Sequence, residues 1–171
     1  HDRQFGRFVG ELKKIGVYDD TVFVICADHG EEFFEHTSVG HGHTVYQELL
    51  HVPLLVRAPG LVPTGKRVAA PASLSDVLPT VITATGGEIP REVEGRNLVG
   101  VARGEAPHPF DASFSAFYSE ADERNLQWSV RRGDWKLWMK GPVNTYLHNL
   151  KDDPLEKSDV DEQYPVALRG L

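Results

Sequence analysis

The sequence is short of cysteine and has no cationic excess. A single cysteine, Cys26, stands among 171 residues. It allows no internal disulfide and carries no signal about redox compartment. Lysine and arginine number 18 against 25 aspartates and glutamates, giving a formal net charge of -7. That balance argues against a nucleic-acid partner, which calls for a basic face. No apolar run approaches the roughly 20 residues of a transmembrane helix. The sequence also lacks an Asn-x-Ser/Thr site, an initiator Met and a signal-peptide pattern. It opens on His1, so the chain is expected to be processed or to be a piece of something longer.

What is present fits a soluble globular chain, with 40% apolar and 25% charged residues. Its length predicts one domain, or one and a small appendage. The histidines are unevenly placed: five of the eight, His29, His36, His41, His43 and His51, fall between positions 29 and 51. They follow the apolar run Val22-Phe23-Val24-Ile25-Cys26-Ala27, which ends at Asp28-His29-Gly30. Such a run reads as a strand buried on both faces. Ligands of open parallel sheets bind just beyond the carboxyl ends of strands.

Apolar residues at Phe5, Phe8, Val9, Leu12 and Ile15 predict an amphipathic helix from Asp2 to Ile15, capped by Gly16. A strand follows at Thr21–Ala27, a helical turn at Thr44–Leu50 and a second strand at Val52–Arg57. A helix is expected at Ser75–Thr85, with Ser75 or Asp76 as cap. The Pro- and Gly-rich stretch Glu88–Asp111 reads as a surface connection. Strands at Phe114–Glu120, Leu126–Arg131, Trp135–Lys140 and Thr145–Leu150 predict an antiparallel sheet, closed by a terminal helix at Asp161–Arg169. The fold class is therefore α/β, with residues 1–110 forming the α/β part and residues 111–171 an antiparallel subdomain.

Asp28 and His29 are the candidate metal ligands, since a carboxylate and a neutral imidazole suit a divalent ion. An isolated Asp-His pair is also an ordinary turn cap with a polar neighbour. Its place at a strand end, beside the histidine cluster, favours the metal. His41, between two glycines, suits an anionic ligand, a leaving-group oxygen or a second metal. His36 and His43 are further candidates for orienting a ligand or contacting an anion. His51 is expected to be structural. Glu31 and Glu32 either orient a histidine or are solvated acids at a helix start, and the second is the expectation. Asp19-Asp20 and Asp152-Asp153 are read as turns, and Arg132-Gly133-Asp134 as a hairpin turn. Trp128, Trp135 and Trp138 are read as sheet packing, and Cys26 as a buried apolar residue.

These motifs together resemble the sulfatase family of the alkaline phosphatase superfamily. The likeness runs through Leu12–Thr21, Ala27-Asp28-His29-Gly30-Glu31, Gly40–Glu48, His51–Gly60, Ser75–Thr80, Val130–Leu137 and Tyr146–Lys157. It implies an incomplete alkaline-phosphatase-like parallel sheet layer, followed by a small antiparallel sheet and a terminal helix. It implies one divalent metal, held here by Asp28 and His29, which polarises a sulfate or phosphate ester substrate. His41 falls one residue out of register with a family lysine that contacts the sulfate. The nucleophile, a formylglycine made from the Cys or Ser of a Cys/Ser-x-Pro-x-Arg motif, is expected upstream of this chain.

Many sulfatases have Asn where this sequence has His29. An all-oxygen site suits calcium, whereas an imidazole favours manganese or zinc. Relatives with Asp-His include phosphonate and phosphate ester hydrolases and phosphotransferases. The resemblance thus implies a C-terminal fragment of a metal-dependent sulfuric-ester hydrolase, inactive alone. The alternatives are a phosphoric- or phosphonic-ester hydrolase or phosphotransferase, and a non-catalytic metal- or anion-binding module. Family analogy implies a periplasmic or secreted location. Strands lacking sheet neighbours predict an exposed apolar edge, to be covered by a homodimer or by the missing half of the protein.

Overall fold

The computed structural model of the chain describes residues 2–105, 112–118, 125–165 and 167. They fall into two compact units. One comprises His1–Ile25, Leu54–Ala69 and Leu74–Pro107, and the other Cys26–Pro53, Ala70–Ser73 and His108–Leu171.

In the first unit, helix α1 spans Asp2–Lys14 and strands β1 and β4 span Phe23–Cys26 and Leu54–Arg57. The two strands pair with one another. The apolar stripe of α1 meets β1 through Phe23, whose ring stands edge-on to Phe5 at 6.3 Å and to Phe8 at 6.4 Å. That contact explains why the helix is amphipathic. It leaves Phe5 and Phe8 half-exposed, however, and no residue of α1 is buried. Arg57 lies over the Tyr18 ring at 3.9 Å and donates to the carbonyls of Tyr18 and Thr21, tying the strand to the turn before β1.

Two expectations about β1 need correction. Ile25 and Cys26 are exposed, so the strand is not buried on both faces and Cys26 is not a core residue. Among the described residues β1 has one sheet neighbour, and a strand paired on one side leaves its apolar run uncovered. Helices α3 (Val77–Ala84) and α4 (Val99–Arg103) complete this unit. The second lies inside the stretch expected to be a plain connection. Asp76 does not cap α3 through its side chain. Its carboxylate accepts the Arg96 N–H instead, at 2.8 Å.

In the second unit, strands β5 (Ala112–Phe117), β6 (Gln127–Arg132), β7 (Trp135–Lys140) and β8 (Asn144–Asn149) form a four-stranded antiparallel meander. Arg132-Gly133-Asp134 lies at the β6–β7 hairpin as expected, with Gly133 at φ 59°. Alternation along β7 buries Lys136 and Trp138 on one face. Trp138 and Leu147 belong to the core of this unit with Val45 and Leu49, whereas Trp128 is exposed. Of the expected terminal helix at Asp161–Arg169, Asp161–Gln163 form a turn and residues 165 and 167 are helical, while residues 166, 168 and 169 lie outside the described residues.

The histidine-rich stretch belongs to this second unit. A two-residue hairpin, β2 (Glu32–Phe33) with β3 (Val39–Gly40), replaces the helix start expected at Glu31 and Glu32. Helix α2 follows at Gln47–Leu50. His51 ends it as an exposed residue.

Candidate metal and anion site

Asp28 and His29 emerge just beyond β1. Gly30 then donates its N–H to Leu49 at 2.8 Å, pinning the turn against α2. Any side chain at position 30 would place Cβ 1.8 Å from the Glu48 carbonyl oxygen, so only glycine fits there. The His29 Nδ1 lies 2.7 Å from the Gly30 carbonyl oxygen. A carbonyl only accepts, so Nδ1 carries the hydrogen and Nε2 of the neutral ring keeps the lone pair that a metal needs. That Nε2 lies 3.7 Å from Asp28 Oδ2, and the two side chains are 42% and 89% exposed. Two donors each about 2.1 Å from one ion at a tetrahedral angle sit roughly 3.4 Å apart. The pair therefore fits a divalent cation in donor type and spacing. It falls short in number, because a catalytic zinc takes three protein ligands. Among the described residues no group of three or more His, Cys, Asp and Glu converges to hold a metal.

His41 joins this edge. Its ring stacks on His29, with centroids 3.9 Å apart and 26° between planes. The hairpin register pairs Glu32 with Gly40 and Phe33 with Val39, which continues to bring Glu31 opposite His41. Both Glu31 oxygens lie 3.3 Å from His41 Nδ1. Gly40 and Gly42, on either side, adopt φ 99° and 75°. Those values lie in the left-handed region open mainly to glycine, and they turn His41 out of the loop. Asp28, His29, Glu31 and His41 thus form one solvent-facing cluster.

His36 and His43 face the other way. His36 Nδ1 bonds Glu48 Oε1 at 2.6 Å, its Nε2 lies 3.2 Å from the Glu156 carbonyl oxygen, and its ring stacks on Tyr46 at 3.5 Å. Both ring nitrogens are engaged, so neither serves an anion in this arrangement. His43 Nε2 bonds Glu32 Oε2 at 2.7 Å.

Glu32 is where the reading from sequence alone fell short. It is 1% exposed, not a solvated acid. Its other oxygen accepts the N–H groups of His36 and Ser38, at 2.9 and 2.8 Å. Burial works to raise this carboxyl, but the bonds from His43, Ser38 and His36 hold it below the usual carboxylate range. Period-2 patterning marks the alternation between Glu31 and Glu32 only once the hairpin is known, because two-residue strands are too short to announce themselves. Glu48, the partner of His36, gave no local signal either.

Comparison with known proteins identifies the family and the fold. The family described as Sulfatase matches residues 1–87. The chain is 27% identical over 166 residues to an N-acetylglucosamine-6-O-sulfatase of Bacteroides thetaiotaomicron, covering 93% of this chain and 30% of that one. A solved structure described as a complex with its substrate D-glucosamine-2-N,6-O-disulfate superposes with a TM-score of 0.89 at 26% identity, over 99% of this chain and 36% of that one. A phosphonate monoester hydrolase of Agrobacterium radiobacter superposes at 0.87 with 27% identity, over 99% and 37%. The chain thus spans about a third of the length of the proteins it matches.

Proposed function

This chain belongs to the sulfatase family, and on that premise we propose that it is the C-terminal part of the catalytic domain of a metal-dependent sulfuric-ester hydrolase. The observation that carries the reading is the solvent-facing cluster of Asp28, His29 and His41 directly after β1. Asp28 and His29 would hold the metal, through a carboxylate oxygen and Nε2. A bound divalent ion supplies Lewis acidity toward an ester oxygen. His41, when its ring carries both hydrogens, donates from Nε2 to a sulfate oxygen or to the departing oxygen. Glu31, against His41 Nδ1, fixes the ring orientation and favours a hydrogen on that nitrogen. The cluster is open to solvent on this chain, so water exclusion would fall to surfaces outside it.

The sequence carries no Cys/Ser-x-Pro-x-Arg motif, and among the described residues no group of three or more ligands converges beyond the Asp28–His29 pair. Isolated, it is therefore inactive and binds metal weakly under this proposal. The test is turnover of matched aryl sulfate and phosphonate monoesters by the longest natural form and by this chain alone. Sulfate turnover by the long form only is the expected result, and turnover by the isolated chain overturns the fragment reading. A second reading, phosphonic-ester hydrolysis, is favoured by one residue, His29. An imidazole ligand shifts metal preference away from calcium, and the superposition on a phosphonate monoester hydrolase supports it. Faster turnover of the phosphonate ester would select it.

A further inference from the structure

Two deeply buried charges of the second unit lie outside the cluster, far along the chain. Lys136 of β7 is 0% exposed and Glu156 3%. Their charged groups meet at 2.7 Å. Each also holds backbone of the histidine stretch. Lys136 Nζ donates to the Val45 carbonyl oxygen at 2.5 Å, and Glu156 Oε2 accepts the Gln47 N–H at 2.6 Å. The Glu156 carbonyl faces His36 Nε2. On β6, Gln127, itself 1% exposed, donates to the His43 carbonyl oxygen at 2.8 Å.

A buried ion pair is a poor way to add stability, because desolvation costs about as much as the attraction returns. Apolar side chains of the same volume would pack as well. They would not supply a donor for Val45 or an acceptor for Gln47, and buried backbone groups need such partners. Between β3 and α2 the chain has no regular structure to provide them. Glu156 also adopts φ 52°, a left-handed conformation that costs a side-chain-bearing residue free energy. Its position is held despite that cost.

We propose that Lys136 and Glu156 are positioning residues for His41 and His43: the pair fixes the 43–47 backbone and thereby the placement of the histidine loop over the candidate site. The inference rests on the reading of His41 as an anion contact. Its test reads the loop itself, so failure of the catalytic reading leaves the result interpretable.

Two variants separate positioning from bulk stability. Lys136→Met/Glu156→Leu removes both charges together and keeps the site apolar. Gln47→Pro deletes the N–H that Glu156 accepts, and Gln47→Ala controls for the accompanying loss of the Gln47 Oε1 bond from Arg131 Nη1 at 3.1 Å. Position 47 opens α2, where proline is tolerated, and the preceding Tyr46 is already extended. Amide hydrogen exchange and histidine ring NMR signals are measured on the chain and on both variants. Expected in both is exchange about tenfold or more faster across 41–47 and shifted His43 ring signals, with the β6–β8 amides changed less than about twofold. Unchanged exchange and His43 signals in either variant overturn the proposal. So does uniform acceleration across loop and sheet, which marks a purely structural role.

Discussion

His29 and His41 stack ring on ring, 3.9 Å between centroids, although twelve positions separate them. The stack joins the residue proposed to bind metal to the one proposed to meet the anion, so the two roles must be separable by substitution. In the longest natural form, His41→Ala is expected to lower kcat by about 10²–10⁴-fold while manganese binding persists in calorimetry. Asp28→Ala is expected to abolish both. Equal loss of metal in the two variants would make His41 a ligand rather than an anion contact.

Glu32 makes the loop sensitive to acid. Its folded-state pKa lies below the ordinary value of 4.5. Between the two values the unfolded chain binds more protons, so stability rises with pH there. The contribution is complete above about pH 4.5 and is lost as pH falls through the depressed value. Asp153 adds in the same sense: burial raises its carboxyl, but the N–H groups of Lys157 and Ser158 pull it lower overall. Glu32→Gln is expected to cost about 2 kcal/mol at neutral pH and to flatten the acid limb of a plot of Tm against pH. An unaltered acid limb would mean that Glu32 titrates normally.

The sequence showed the elements whose signal is local. Phe5, Phe8, Val9 and Leu12 recur at helical spacing, and α1 lies within one residue of its expected end. Trp135–Lys140 alternates cleanly and β7 matches it residue for residue. The β2–β3 hairpin carried no comparable signal, with two residues per strand. Legibility of the site divides along the same line. Asp28, His29 and His41 stood out by residue type and by glycine neighbours. The carboxylates that hold the loop did not, because burial of Glu32, and of Glu156 against Lys136, depends on partners distant in sequence. A charged residue in isolation reads as solvated.

The Lys136–Glu156 pair predicts an order among variants. Burial lowers the lysine pKa, partly offset by the Glu156 charge. Lys136→Met leaves the Glu156 carboxylate buried without its cation and is expected to cost about 3–5 kcal/mol. Lys136→Met/Glu156→Leu is expected to cost less than that single change in urea unfolding. A double variant weaker than the single one would show that the pair is net stabilising beyond its backbone bonds.

Phe34 offers a gain. It sits at φ 71° in the hairpin connection and is 72% exposed. Relief of left-handed strain is worth about 1–2 kcal/mol, and the added freedom of glycine in the unfolded chain takes back about 0.5–1. Little apolar burial is lost. Phe34→Gly is therefore expected to raise Tm by about 1–3 °C in thermal melts. A lower Tm would mean that the ring has a partner the strain argument ignores.

Tyr46 carries the corresponding alkaline signature. Burial first, then the negative charges of Glu156, Tyr146, Glu48 and Glu32, pushes its hydroxyl up to about 12. The ring is sandwiched by contacts, stacked on His36 at 3.5 Å and edge-on to Trp138 at 5.1 Å. A raised folded-state value means that the native chain binds more protons than the unfolded one between the ordinary 10.0 and about 12. By linkage, the stability Tyr46 contributes is whole below pH 10 and drains away as pH rises through that window. Ultraviolet titration of the folded chain is expected to show a late ionisation step near pH 12, and Tyr46→Phe to remove that step. The same substitution should shift the onset of alkaline unfolding upward, since no phenol remains to ionise on opening. Survival of the late step in Tyr46→Phe would assign it to another tyrosine and place Tyr46 in a more solvated loop than the His36 stack allows.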